Sequence, residues 1–259
     1  FLVAATTLGA VLAVLALAVP RRRWSAAIAA GGAFGFAIAV RWTAIPIALA
    51  VAIGALASVE GRRARLRGPV LAAVLAAVAV YVASFAPYFA HGHGLGDLVR
   101  LHRAMFAFHA SLPAQAGQSA PVLAWPWTLR PVTFLVESSR DEIAVVMCTG
   151  GRLLWWSLVP LLVAGAWRAR RAGARWLVPV LAIAATWLAW LAIGRFGMTY
   201  DLLPAVPFVA VLAARVATRR RVRAACVALA IAWFAVMYPV LAAVPMPRAT
   251  YDAYRAVLG

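Results

Sequence analysis

The sequence predicts an all-α fold, a polytopic transmembrane helix bundle of about eight spans, and three observations predict it. Of 259 residues, 66% are hydrophobic and the mean hydropathy is +0.90, far more apolar than a domain whose whole surface must be wetted. The apolar residues come in runs long enough to cross a bilayer as helices. The basic residues, all 25 of them arginine, gather in short clusters between those runs, as cytoplasmic loops do. A net charge of +18 in a soluble chain would suggest nucleic acid; here the clustering explains it and nucleic acid is excluded as a partner.

Taken in order, Phe1 to Val19 is the first span, closed by Pro20 and the cytoplasmic cluster Arg21, Arg22 and Arg23. Ser25 to Val59 is too long for one ordinary span and is interrupted at Arg41 and Trp42. It ends at a second cluster, Arg62, Arg63, Arg65 and Arg67. If both clusters are cytoplasmic, the crossings between them are even in number, so this stretch is two short helices with Arg41 and Trp42 at the outer surface. The GGAFG at Gly31–Gly35 reads as close helix packing. Gly68 to Phe89 crosses outward, completing four helices in residues 1–89.

Residues 90–152 read as an extracytoplasmic loop region, with Leu101 to Leu112 a short amphipathic helix on the membrane carrying Leu101, Met105, Phe106 and Phe108. Residues 153–243 carry the remaining spans. Leu153 to Trp167 returns inward, anchored by Trp155 and Trp156, and is followed by Arg168, Arg170, Arg171 and Arg175. Trp176 to Ile193 crosses outward, Leu202 to Ala217 returns to Arg219–Arg223, and Ala224 to Ala243 makes the last crossing. Residues 244–259 form an extracytoplasmic tail. The same parity puts Arg195 outside, beside a helix start, where guanidinium and helix N-terminus both attract an anion such as a lipid-linked phosphate. The chain opens at Phe1 inside an apolar run, which reads as a piece of a longer protein.

Chemistry is sparse. His91, His93, His102 and His109 share the outer loop with Asp97, but their spacing matches no strong metal motif and HGHG reads equally as a turn, so no metal is assigned. Asp141 and Glu142 are adjacent, yet neighbours in sequence need not face one substrate. Walker, nucleophile-elbow and dinucleotide fingerprints are absent, and no cofactor is expected. Cys148 and Cys226 fall in an outer loop and a span, which argues against a disulfide.

Six stretches in order resemble the C-terminal part of the protein O-mannosyltransferases, membrane enzymes of the GT-C glycosyltransferase class. They are VRWTAI from Val40, SFAPYF from Ser84, FHASL from Phe108, QSAPVLAWPWTLRPV from Gln118, GGRLLWW from Gly150 and GRFGMTYDLLPAVPF from Gly194. The resemblance implies a GT-C-like bundle in the bacterial plasma membrane with its active site on the extracytoplasmic side. It implies transfer of mannose from a polyprenyl-phosphate donor lipid to Ser or Thr of exported proteins, with the secretion machinery as a further candidate partner. By similarity, Arg195 and Tyr200 lie near the lipid phosphate, Arg41 is a second cation at the rim, and His109, Trp125 and Arg130 shape the acceptor cavity. Fixed cations suit a phosphate leaving group, and an acceptor hydroxyl needs a carboxylate base.

The catalytic residue is left unassigned, because the family's acidic pair lies in an earlier outer loop, expected upstream of Phe1. The family's His-Pro-Tyr is replaced by Gln115, Ala116 and Gly117, and its Gly-Asn-Pro by Gly150, Gly151 and Arg152. Two alternatives stay open: a GT-C transferase acting on a lipid or cell-wall glycan, and a transporter or flippase of polyprenyl-phosphate lipids. A transporter should carry broken helices in repeated halves, and the chain shows no internal repeat.

Overall fold

The computed structural model describes residues 1–58, 66–111, 121–127, 132–148, 152–193 and 199–258. It divides into two compact units, one of Phe1–Pro113, Gly165–Arg195 and Pro204–Phe208, the other of Ala114–Ala164, Phe196–Leu203 and Val209–Gly259.

Helix follows the predicted apolar runs. In the first unit α1 (Leu2–Ala18), α2 (Arg23–Val40), α3 (Ala44–Ala57) and α4 (Arg67–Ala83) are followed by the short α5 (Ala86–Ala90) and by α6 (Leu95–Ser111). Later in the chain come α7 (Arg152–Ala172), α8 (Leu177–Leu188), α9 (Val206–Val216), α10 (Arg220–Leu241) and α11 (Arg248–Leu258). Among the described residues, two helices are long and apolar enough in themselves to cross a membrane, Pro20–Val40 and Arg220–Leu241; Leu2–Ala18, Ala44–Ala57, Arg67–Ala83 and Leu177–Leu191 are apolar but shorter. The breaks have local causes. Pro20 and Pro69 stand in first turns, where a missing N–H costs nothing. Gly173, at φ 97°, stops α7 in a left-handed conformation that only glycine takes freely, just after Arg170 and Arg171 complement the negative helix end.

Small residues decide the packing of α1 to α4. A Cβ at Gly31 or Gly35 would fall onto the backbone of Ala73 or Ala77, so α2 and α4 meet main chain to main chain. Gly54 does the same for α3 and α8, where an added Cβ would lie 2.9 Å from the Val178 backbone. Alanines line the other contacts: Ala16, Ala26 and Ala27 in one buried cluster, Ala5, Ala37 and Ala44 in another. The close-packing reading of GGAFG therefore holds, and its partner is α4.

The chain is mostly helical, as expected for the all-α class, and the second unit adds a small sheet. Within the segment read as a loop, β1 (Val132–Ser138) and β2 (Glu142–Cys148) form an antiparallel hairpin, and β3 (Met246–Pro247), from the segment read as a tail, pairs with Glu142 and Ile143. β2 alternates imperfectly but supplies Ile143, Val145 and Met147 to one buried cluster with Met237, Val240 and Met246. Tyr251 and Tyr254 of α11 pack against that cluster. Arg248 ties the hairpin turn down, donating from Nε to the Arg140 carbonyl (3.2 Å) and from Nη2 to Ser138 Oγ (2.6 Å) and the Ser139 carbonyl (2.8 Å).

Trp155 and Trp156 separate. Trp156 is 44% exposed, as an interfacial anchor should be, but Trp155 is 4% exposed and belongs to the interior, which corrects the expectation that both are anchors. Neighbours on a helix point about 100° apart, so one of the pair can turn inward while the other stays at the surface. Both cysteines are free.

Candidate functional site at the helix ends

In the first unit the polar side chains collect where α2 gives way to α3. α2 stops because Arg41 turns extended (φ −162°, ψ 128°), its N–H still bonded to the Ala37 carbonyl at 2.9 Å. The next two turns are carried by the Ala44 N–H on the Arg41 carbonyl (3.0 Å) and the Ile45 N–H on the Trp42 carbonyl (2.9 Å). Arg41 and Trp42 thus leave the helical barrel together. The Arg41 guanidinium sits over the Trp190 ring, 5.6 Å from its centroid, a cation–π contact that fixes the charge at this corner.

Trp42 starts a chain of hydrogen bonds through three elements. Its indole N–H donates to Tyr81 Oη at 2.9 Å, and Tyr81 Oη lies 2.5 Å from His102 Nε2. His102 Nδ1 lies 2.7 Å from the Leu98 carbonyl, which can only accept. In the neutral imidazole, Nδ1 therefore holds the proton, Nε2 accepts, and Tyr81 donates to it while accepting from Trp42. Stacking reinforces the arrangement: Trp42 and His102 lie nearly parallel (5.5 Å, 13°), and Phe85 closes the other side 5.3 Å from His102.

α6 carries the remaining outer histidine of interest. His109 stands in its last turn with its ring edge-on to Phe108 at 5.5 Å, one heptad beyond His102 and so on nearly the same face. At the other end, Asp97 caps the helix by accepting the Gly94 N–H at 2.7 Å and pairs with Arg100. That backbone bond above all holds its carboxyl below the usual range; desolvation opposes it, and the Arg100 and His93 charges add to the lowering. His91 donates from Nδ1 to the Pro87 carbonyl (2.7 Å), and His93 stacks on Tyr88 at 4.1 Å. Asp97, His91 and His93 are therefore each engaged in local structure, and among the described residues no group of three His, Cys, Asp or Glu is placed to hold a metal.

In the second unit Tyr200 lies in a 3-10 turn, Thr199–Ala205, its ring 5.9 Å from Phe134 of β1. The next residue, Asp201, is 4% exposed, a buried carboxylate that its sequence position does not reveal. Burial, and then the Asp201 charge, push the Cys148 thiol up, so it stays protonated and a poor nucleophile. Trp125 is fully buried, following the 3-10 turn Val122–Ala124. Any part it has in a cavity is as a wall.

Of the residues singled out from sequence, Arg41 and His109 thus fall in the first unit, and Tyr200 and Trp125 in the second; Arg195 and Arg130 lie outside the described residues. Tyr81 and Trp190 were not anticipated, while Phe85 belonged to SFAPYF. Tyr81 sits in an apolar run with no spacing signal, whereas Trp42 belonged to VRWTAI and His102 shares its heptad with His109.

The described residues are mostly helix, and two of their helices have the length and hydropathy of a membrane span, which defines the chain as a helical protein. No protein-family profile matches the chain, and no solved structure matches it. It is similar to the "Polyprenol-phosphate-mannose--protein mannosyltransferase" of Mycobacterium tuberculosis strain CDC 1551 / Oshkosh, 28% identical over 286 aligned positions that cover 86% of this chain and 55% of the relative. The protein of the same name in strain H37Rv matches to the same extent. The resemblance read from the six stretches is thus met by curated relatives of that name, and the chain spans about half their length.

Proposed function

We propose that this chain is part of an integral-membrane glycosyltransferase that moves mannose from a polyprenyl-phosphate donor to Ser or Thr hydroxyls of exported proteins. The similarity over 86% of the chain carries this reading. In it the bundle crosses the bacterial plasma membrane about eight times, with arginine clusters inside and Arg41, His109 and Arg195 on the outer face.

The reaction breaks the bond between the sugar's anomeric carbon and the phosphate oxygen, and the acceptor hydroxyl forms the new one while losing its proton to a base. Negative charge grows on the departing phosphate, so fixed cations there lower the barrier. Arg195 and Arg41 supply them and Tyr200 offers a hydroxyl donor; His109 and Arg130 face the acceptor and Trp125 backs the cavity wall. Arg41 is suited to the task because its guanidinium is pre-placed by Trp190 and its neighbour Trp42 is held by Tyr81 and His102.

The test is transfer of labelled mannose from its polyprenyl phosphate to a Thr-containing peptide by the full-length protein in membranes. Arg195→Ala is expected to lower kcat at least about a hundredfold, the cost of one lost charge-stabilising donor. Undiminished transfer would remove Arg195 from the mechanism, and no transfer by the unaltered protein would overturn the reading.

A further inference from the structure

At the arginine-rich end of the first unit two hollows adjoin. A slot of about 200 Å³ runs between α1, α2, α3 and α4, walled by side chains such as Ala27, Ala52 and Phe34. A second hollow of about 430 Å³ lies between the end of α3 and the start of α4, and Leu56, Leu66 and Val70 line both. Each has one cation at its wall, Arg23 in the slot and Arg67 in the second hollow, and neither lining includes a carboxylate among the described residues.

Arg23 is the more telling of the two. Its Nε is shut off from solvent and has no hydrogen-bond partner among the described residues, a state that costs energy unless an acceptor joins it. It is also misplaced for the helix, since Arg21, Arg22 and Arg23 crowd the N-terminal end of α2, where the dipole repels cations and attracts anions. An anion at this mouth relieves both penalties. Behind the mouth the walls offer too few polar partners for water but suit a hydrocarbon chain. Trp24, 57% exposed and packed on Gly68, marks headgroup depth beside it.

We infer that Arg23 and Arg67 hold the phosphate of one anionic phospholipid whose acyl chain lies in the slot. This rests on the membrane placement proposed above, with the arginine clusters at the inner leaflet, and is separate from the donor site on the other face. An arginine-rimmed hollow between spanning helices on the inner side has the chemistry that binds such headgroups.

The full-length protein, reconstituted with equal phosphatidylglycerol and phosphatidylcholine and extracted in mild detergent, is expected to retain phosphatidylglycerol about fivefold over phosphatidylcholine. Arg23→Ala should abolish that preference, with Arg23→Gln giving the same readout should the alanine variant misfold. Ala52→Leu, which fills the slot and keeps the charges, should lower retention of both lipids. Equal retention of the two lipids by the unaltered protein, or an unchanged preference in both Arg23 variants, would overturn the site. Labelling of Arg22→Cys in a Cys148→Ser, Cys226→Ser background with an impermeant maleimide separates the two readings. Labelling from outside would overturn the membrane placement itself; protection there, with no lipid preference, would overturn the lipid site alone.

Discussion

The two units hold themselves together in different ways. Between α1 and α4 the contacts are glycine and alanine against main chain, and many large side chains, such as Leu71, Leu75 and Val78, point outward. Around its small sheet the second unit buries Ile143, Val145, Met147, Met237, Val240 and Met246 inward, as a water-soluble domain does, while Ile231 and Phe234 of the same α10 point outward. The difference follows from the solvent each packing suits. Against lipid there is no gain in hiding leucine, so helices associate by close approach; against water the same side chains drive the collapse.

The contrast breaks most severely at Gly31. Gly31→Leu puts a side chain into the Ala73 backbone, and the protein is expected to lose folded yield in detergent, a penalty of at least ~3 kcal/mol. Gly32→Ala, with nothing nearer its Cβ than Val80 Cγ2 at 3.7 Å, should instead raise thermal stability slightly, by about 0.5–1 kcal/mol of helix propensity. In the second unit Met237→Ala should cost about 2–4 kcal/mol through the cavity it leaves, read as earlier urea unfolding of the hairpin by hydrogen exchange. Tyr81→Phe removes the hydroxyl shared by Trp42 and His102 and should cost about 1–3 kcal/mol. Its second readout is a changed Trp42 environment in fluorescence, which a mere loss of volume would not produce.

Smaller effects sharpen the comparison at the water-facing edges. Arg248→Ala should cost about 1 kcal/mol and speed amide exchange at residues 139–142 while leaving α1 to α4 untouched. Asp97 gives the least. Because its folded pKa is lowered, its cap on α6 is fully present above the ordinary carboxylate value of about 3.9 and is lost as the pH falls through the lowered value. Amide exchange at the start of α6 should therefore rise only in that acidic window, and Asp97→Asn should remove the dependence.

Much of this was legible from residues alone where the cause is local. Break points at Pro20 and Arg41 follow from hydropathy and charge within a few residues. So does the amphipathic helix in the outer region, although it begins at Leu95 rather than Leu101. The sheet escaped because β3 meets β2 across roughly a hundred residues, and a two-residue strand has no periodicity to read. The corner around Arg41 was half legible: VRWTAI drew attention to it, but Tyr81 looked like one more apolar helix position.

By itself, then, the sequence determined the long apolar runs that are helical and the glycines that invite a close neighbour, because each depends on a few adjacent side chains and their solvent. Tertiary structure alone decided that Gly31 and Gly35 meet Ala73 and Ala77, that Trp42, Tyr81 and His102 share a hydrogen-bonded chain, and that Arg23 faces an apolar slot. Those facts join residues distant in the chain, and the geometry of a hydrogen bond or a backbone contact exists only once the helices have packed.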